Sequence, residues 1–261
     1  MDGAMSLLDL TGRVALISGA GGGIGLGVAL ALARCDVRIV ALVRSRVSGE
    51  NAVRLISEAG GVAGFVVGDV ARPDSVGAAV EAAVERHGAL DIVIHNAVAR
   101  SSAEPLKLED ASDAEWAGQS AVALDGMFLL AQAALPHLRA STCARFVVLV
   151  SAGAMHGSVR NAVYPAVKGA QRGFVKALAR EWGPHGITVN AVAPIAMSEG
   201  ARRHFALHPE AMEPLLAHIP LRRLGDPETD VGAGIAAICT PAFGYVTGQT
   251  ICVDGGAYPA L

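Results

Sequence analysis

Residues 14–25 read VALISGAGGGIG, a short apolar run that breaks at Ser18-Gly19 into a loop holding five glycines. Small apolar residues follow at helical length, so the stretch opens a strand–turn–helix unit. The same pattern recurs outward along the chain. RIVALV (38–43), GFVVG (64–68), DIVIH (91–95), FVVLV (146–150), ITVNAV (187–192) and QTICV (249–253) read as strands. Helical segments lie between them at about 23–34, 49–59, 73–87, 112–139, 161–183 and 227–238. None of the strands alternates polar with apolar residues, so each is expected to be covered on both faces, as in a parallel sheet. The expectation is a single-domain α/β Rossmann-like fold spanning 1–261: a doubly wound parallel sheet of about seven strands with helices on both faces. No repeat, low-complexity tract or linker argues for a second domain. One excursion, from Pro194 to Gly225, carries Pro209, Pro214, Pro220, His204, His208, His218 and clustered arginines. It is too long for a simple connection and reads as a lid at about 195–225, or else as an exposed helical hairpin with no role in binding.

Composition narrows the function class. Hydrophobic residues make up 52% of the chain and charged residues 17%, enough apolar material for a core on both sides of a sheet. A formal charge of -3 argues against a nucleic-acid partner. Cys35, Cys143, Cys239 and Cys252 form no Cys-x-x-Cys and no metal-ligand cluster, and they read as buried structural thiols in a reducing compartment. MDGAMSLLDL at the start has no signal-peptide pattern, and no uncharged apolar run nears the roughly 18 residues that span a membrane. A cytoplasmic protein with no metal, membrane or nucleic-acid partner is expected.

In the loop after the first strand, Gly19, Gly22, Gly23, Ile24 and Gly25 allow a sharp turn and a close approach to a helix N-terminus. Free N–H groups and the helix dipole there favour a pyrophosphate. The second strand ends near Val43, where dinucleotide sites place an acidic residue against the ribose hydroxyls; here Arg44-Ser45-Arg46 follows instead. A basic group suits a 2′-phosphate, so NADP(H) is favoured over NAD(H), although the same arginines would also fit a solvated loop.

Tyr164-Pro165-Ala166-Val167-Lys168 is the strongest chemical signal. Residues four apart share a helix face, which sets the ammonium beside the phenol. A cation there is expected to favour phenolate and to fit tyrosine for acid/base work. Ser151 ends a strand thirteen residues earlier, at the crevice where such sheets bind ligands, and its hydroxyl can meet a carbonyl oxygen.

Taken together, these motifs resemble the short-chain dehydrogenase/reductase family over essentially the whole chain. Further matches are Leu90-Asp91-Ile92-Val93-Ile94-His95-Asn96-Ala97, Gly186 to Pro194, Thr247-Gly248-Gln249 and Val253-Asp254-Gly255-Gly256. The resemblance implies NAD(P) across the C-terminal strand ends, with Ser151, Tyr164 and Lys168 catalytic. It implies cofactor contacts from the glycine loop, Arg44, Asp69, Val70, Asn96, Ala97, Tyr164, Lys168, Pro194 and Met197. By that resemblance Asp69 holds the adenine amine, although a turn-capping aspartate would look the same. The implied assembly is a homotetramer, or a homodimer, packed through the long 112–139 helix and the Tyr/Lys helix, where Ala162, Ala166 and Ala170 permit close approach.

The chain departs from the family pattern at Ser18, His95, Val98, Ala123, Ile195 and Glu199. His95 and Val98 replace an asparagine and a glycine. Ala123 stands where an asparagine normally holds a relay water, a task a backbone carbonyl would have to take over. Glu199 stands where a threonine is usual, with Ser198 one residue away. His156, five residues after Ser151, falls in the loop that usually forms one wall of the family's substrate pocket, where it either meets a polar substrate or lies on the loop surface. Three functions follow: a ketone/secondary-alcohol oxidoreductase, a catalytically weak cofactor-binding protein with a regulatory or assembly role, and an enzyme of elimination or isomerisation. The walls 152–160 and 195–220, with apolar Ile195, Met197, Phe205, Met212, Leu215 and Leu216, suit a small-molecule carbonyl or alcohol substrate with a hydrophobic part.

Overall fold

Seven parallel strands form one sheet in the order β3-β2-β1-β4-β5-β6-β7. They are β1 (Val14–Ser18), β2 (Arg38–Val43), β3 (Ala63–Val67), β4 (Ile92–His95), β5 (Arg145–Leu149), β6 (Thr188–Pro194) and β7 (Thr250–Val253). The computed structural model describes residues 6–103, 105–159 and 161–258. The opening residues 1–5 and Arg160 of the expected pocket wall lie outside the described residues, as do the side chains of Glu199 and His204.

Helices α1 (Gly23–Ala33), α2 (Arg46–Glu58) and α3 (Pro73–His87) connect the first four strands. Then come α4 (Asp113–Ser120), α5 (Gly126–Ala140), the short α6 (Gly153–His156) and α7 (Val163–Trp182). The excursion holds α8 (Glu199–Leu207) and α9 (Met212–His218), and α10 (Ala233–Cys239) precedes the last strand. Along β1 the side chains part by turns: Val14 and Leu16 enter a core with α3, α5 and α7, while Ala15 and Ile17 enter another with α1 and α10. That alternation is why a continuous apolar run makes a doubly covered strand. The sheet edges differ from the expectation, since β3 and β7 are only half-buried; each has a neighbour on one side alone.

Two helices carry an extra residue per turn. A π turn at Ala121–Asp125 joins α4 to α5, and another at Pro227–Gly232 leads into α10. The stretch Asp113–Ala140 is apolar and long enough, by length and composition, to cross a membrane. Here it packs on α3, α7 and β4 as part of the sheet's cover. Of the four thiols, Cys143 and Cys239 are buried as expected, whereas Cys35 and Cys252 are partly open.

The strand order reverses between β1 and β4, since the chain passes from β3 back across β1 to start β4. Such a switch point leaves a crevice at the C-terminal strand ends. Ser18, His95 and Ser151 all lie there.

Candidate active site

The crevice floor is a closed hydrogen-bond set. Ser18 Oγ accepts from the backbone N–H groups of Asn96 and Ala97, both at 3.1 Å. That leaves its proton for His95 Nδ1, 3.2 Å away. His95 therefore carries its own proton on Nε2 and donates to the Ala123 carbonyl at 3.2 Å. The ring is fully buried, and desolvation, helped by the Lys168 charge, pushes its pKa down to about 3. It is a neutral packing histidine. Asn96 Nδ2 donates to the carbonyls of Ser18 and Gly19, both at 3.1 Å, and so ties β4 to the glycine loop.

Gly19 has φ +72, and a Cβ there would stand 2.9 Å from Asn96 Nδ2 and 3.0 Å from Ala97 Cα. Only glycine fits both the conformation and the space. Beyond it, α1 follows Gly22, which offers no side-chain cap, and has no acid in its first turn. The Cβ direction at Gly23 faces nothing within 4 Å. An uncapped helix N-terminus with open space in front of it fits a pyrophosphate. Arg44 is exposed just past β2, and Ser45 caps α2 by accepting from Ser48 N. Arg46 turns away over the Phe65 ring, 5.9 Å from its centre. Asp69 is exposed and caps the next turn, accepting from Ala71 N at 2.9 Å, while Val70 is buried against Gly126. Val98 is exposed and needs no positive φ, so the replaced glycine brings no backbone strain.

On α7 the residues Val163, Val167, Lys168, Gln171, Val175 and Leu178 form the buried stripe, which draws Lys168 inside with it. Lys168 Nζ donates to the Leu149 carbonyl at 2.7 Å and stands 5.7 Å from the Tyr164 ring centre. Burial pushes its pKa down to about 7. Tyr164 hydrogen-bonds Ser151, and Ser151 Oγ also accepts from Gly153 N at 3.2 Å. The three side chains singled out in the sequence are thus brought together. The expected lowering of the phenol is reversed: burial pushes Tyr164 above its ordinary value, and the Ser151 hydrogen bond only partly opposes it. Lys168 stands over the ring and bonds to a backbone carbonyl, and burial outweighs it.

The Ala123 carbonyl accepts from Gln171 Nε2 at 2.8 Å as well as from His95. Both its lone pairs are used, and it is not open to a relay water as the sequence reading required. Gln171 was missed in that reading; its signal was a glutamine one turn past Lys168 in an apolar stripe. Ser198 Oγ caps α8 by accepting from Ala201 N at 3.2 Å. Met197 N donates to the Gly225 carbonyl at 2.8 Å, and Gly225 N to that of Ile195 at 3.2 Å, pinning the excursion at its neck. Pro194, Ile195, Met197, Phe205, Met212, Leu215 and Leu216 are half-buried. His156 stacks on Tyr258 at 4.6 Å, and His218 meets the same ring edge-on at 5.2 Å. One ring therefore joins the loop after β5, the excursion and the chain's end.

The family model described as enoyl-(acyl carrier protein) reductase matches residues 19–258. The 3-oxoacyl-[acyl-carrier-protein] reductase of Vibrio cholerae is 31% identical over 251 residues, covering 96% of this chain and 99% of that one. The 12alpha-hydroxysteroid dehydrogenase of a Clostridium species is 32% identical over 183 residues, 70% of each chain. Among solved structures, the 3-ketoacyl-(acyl-carrier-protein) reductase of Brucella melitensis complexed with NADH has a TM-score of 0.85 at 30% identity. It covers 95% of this chain and 99% of that one.

Proposed function

The chain belongs to the short-chain dehydrogenase/reductase family of oxidoreductases, and on that premise we propose that it interconverts a ketone and a secondary alcohol with NADP(H). The observation that carries this reading is the half-buried Ser151 hydroxyl acting on the Tyr164 phenol, with buried Lys168 one turn on. When bound, the nicotinamide supplies or takes the hydride. In reduction Tyr164 donates its proton to the carbonyl oxygen, and in oxidation the phenolate takes it back. Ser151 holds the same oxygen by hydrogen bond, and the Lys168 ammonium stabilises the phenolate.

Gly19, Gly22, Gly23, Ile24 and Gly25 would hold the pyrophosphate, with Asp69 and Val70 at the adenine end. Asn96, Ala97, Pro194 and Met197 would line the ribose and nicotinamide side. Exposed Arg44 beside the Ser45 cap, with no acid at Val43, supports NADP(H) over NAD(H). The half-buried apolar residues of 195–225, read as a lid over one domain, support a substrate with a hydrophobic part. The names of the two curated relatives, one acting on a 3-oxoacyl group and one on a hydroxysteroid, are in keeping with that class. Trp116 on α4, Phe128 on α5, Ala166 and Ala170 on α7, and Ala162 just before it are exposed, which supports pairing of copies there into a homotetramer. Four unpaired thiols support a cytoplasmic setting.

The test is oxidation of NADPH against a panel of hydrophobic ketones, followed by nicotinamide absorbance and repeated with NADH. Turnover with NADPH preferred is expected, and Tyr164→Phe should lower kcat by about 10²–10⁴-fold with cofactor affinity kept. Ala123 favours a second reading, a cofactor-binding chain of low turnover. Tight NADPH binding without turnover on any ketone would establish that reading and overturn the first.

A further inference from the structure

Gln171 is a fully buried carboxamide three residues beyond Lys168 on α7. Its Nε2 donates to the Ala123 carbonyl, an orientation fixed by chemistry because only the NH2 end can meet a carbonyl. Its Oε1 then has no donor among the described residues. Just before the same π turn, Gln119 Oε1 and Ser120 Oγ are also buried without partners. Packing alone would favour leucine or valine at 171, because a buried acceptor without a donor destabilises a fold.

Three observations give that oxygen a task. Gln171 shares the Ala123 carbonyl with His95, which feels the Lys168 charge, and long side chains on a helix lean back over the preceding turn, here that of Lys168. The Lys168 ammonium has three N–H groups, and the Leu149 carbonyl takes one. The Ala123 carbonyl, already doubly engaged by His95 and Gln171, accepts nothing more. The titratable groups that face Lys168 among the described residues are Tyr164 on its own helix and His95 on β4, and His95 is neutral.

We propose that Gln171 is a positioning residue whose Oε1 holds a water against the Lys168 ammonium, fixing the cation beside Tyr164. The water accepts an N–H from Lys168 and donates an O–H to Gln171. It does with a carboxamide on α7 what Ala123 lacks the side chain to do from the facing helix.

The proposal rests on the oxidoreductase reading for its kinetic test. Gln171→Leu is expected to lower kcat about tenfold while KM and NADPH affinity stay within about twofold. The limb of kcat/KM that reports Lys168 should move about one unit to lower pH, since the ammonium loses its partner. Ala123→Asn in the Gln171→Leu background should restore most of the loss. An unmoved limb, or a kcat loss matched by an equal loss of NADPH affinity, would overturn the proposal in favour of a structural role. A high-resolution crystal structure of the wild-type protein with NADPH decides independently of turnover and of whether the variant folds. A water within hydrogen-bond distance of both Gln171 Oε1 and Lys168 Nζ is expected, and its absence overturns the proposal even if no ketone is reduced.

Discussion

At the crevice floor, Ser18, His95 and Lys168 are withdrawn from solvent and each makes a hydrogen bond to backbone or to one another. Across from them α8 and α9 offer half-buried apolar side chains, tied to the body by the backbone hydrogen bonds at the neck and by Leu221 N donating to the Gly255 carbonyl at 3.2 Å. The floor is specified by donors and acceptors that must all be present, and the excursion by surface that need only be apolar. Substitutions on the floor should therefore register as stability and pH dependence, and those around the excursion as KM.

The harshest way to break this contrast is Gly25→Val. A Cβ at Gly25 would overlap the Gly19 carbonyl and the Asn96 amide, which are the loop's own anchors. A loss of about 3 kcal/mol or more is expected in denaturant unfolding, and wild-type stability would refute the close-packed floor. Next comes acid. The His95 pKa of about 3 lies below its ordinary 6.5, so between those values the unfolded chain binds more protons. Stability is present above pH 6.5 and is lost as pH falls toward 3, by a few kcal/mol on the order given by linkage. His95→Asn should flatten that slope, and an unchanged slope would mean the ring is not the group responsible.

Lys168 sharpens the comparison from the alkaline side. Its pKa of about 7 lies below the ordinary 10.5, so the burial penalty is felt in full below pH 7 and relieved as pH rises to 10.5. Lys168→Met should be more stable than wild type at pH 6 by about 2 kcal/mol, with the gap closing toward pH 10. In the wild type, kcat/KM for reduction should fall as pH passes about 7 and the ammonium is lost. Equal stability at pH 6 would show the ammonium is well solvated. The smallest effect belongs to Tyr258→Ala, which removes the ring shared by His156 and His218. Unfolding stability should stay within about 0.5 kcal/mol while KM rises several-fold. A large loss of stability would place that ring with the floor.

The strands and the three catalytic candidates were legible because they depend on local pattern: apolar runs of strand length, a glycine loop, and a Tyr/Lys pair one helical turn apart. What escaped depends on contacts between distant segments. The π turn at Ala121–Asp125 has no local signature, since Ala123 is held by donors from β4 and α7. The Tyr164 shift was read with the wrong sign because neighbour identity is visible in a sequence, but the depth to which α7 sinks both groups is not. The half-buried edges of β3 and β7 likewise follow from strand order, which apolar runs do not encode.

The paired bonds between Ile195, Met197 and Gly225 have an evolutionary consequence. A segment whose two ends are clamped side by side can be lengthened, shortened or exchanged without disturbing the sheet, because closing a loop of twice the length costs only about 0.6 kcal/mol more. The neck turns the excursion into a replaceable cassette. One floor can then be paired with different surfaces by changing what hangs from that clasp.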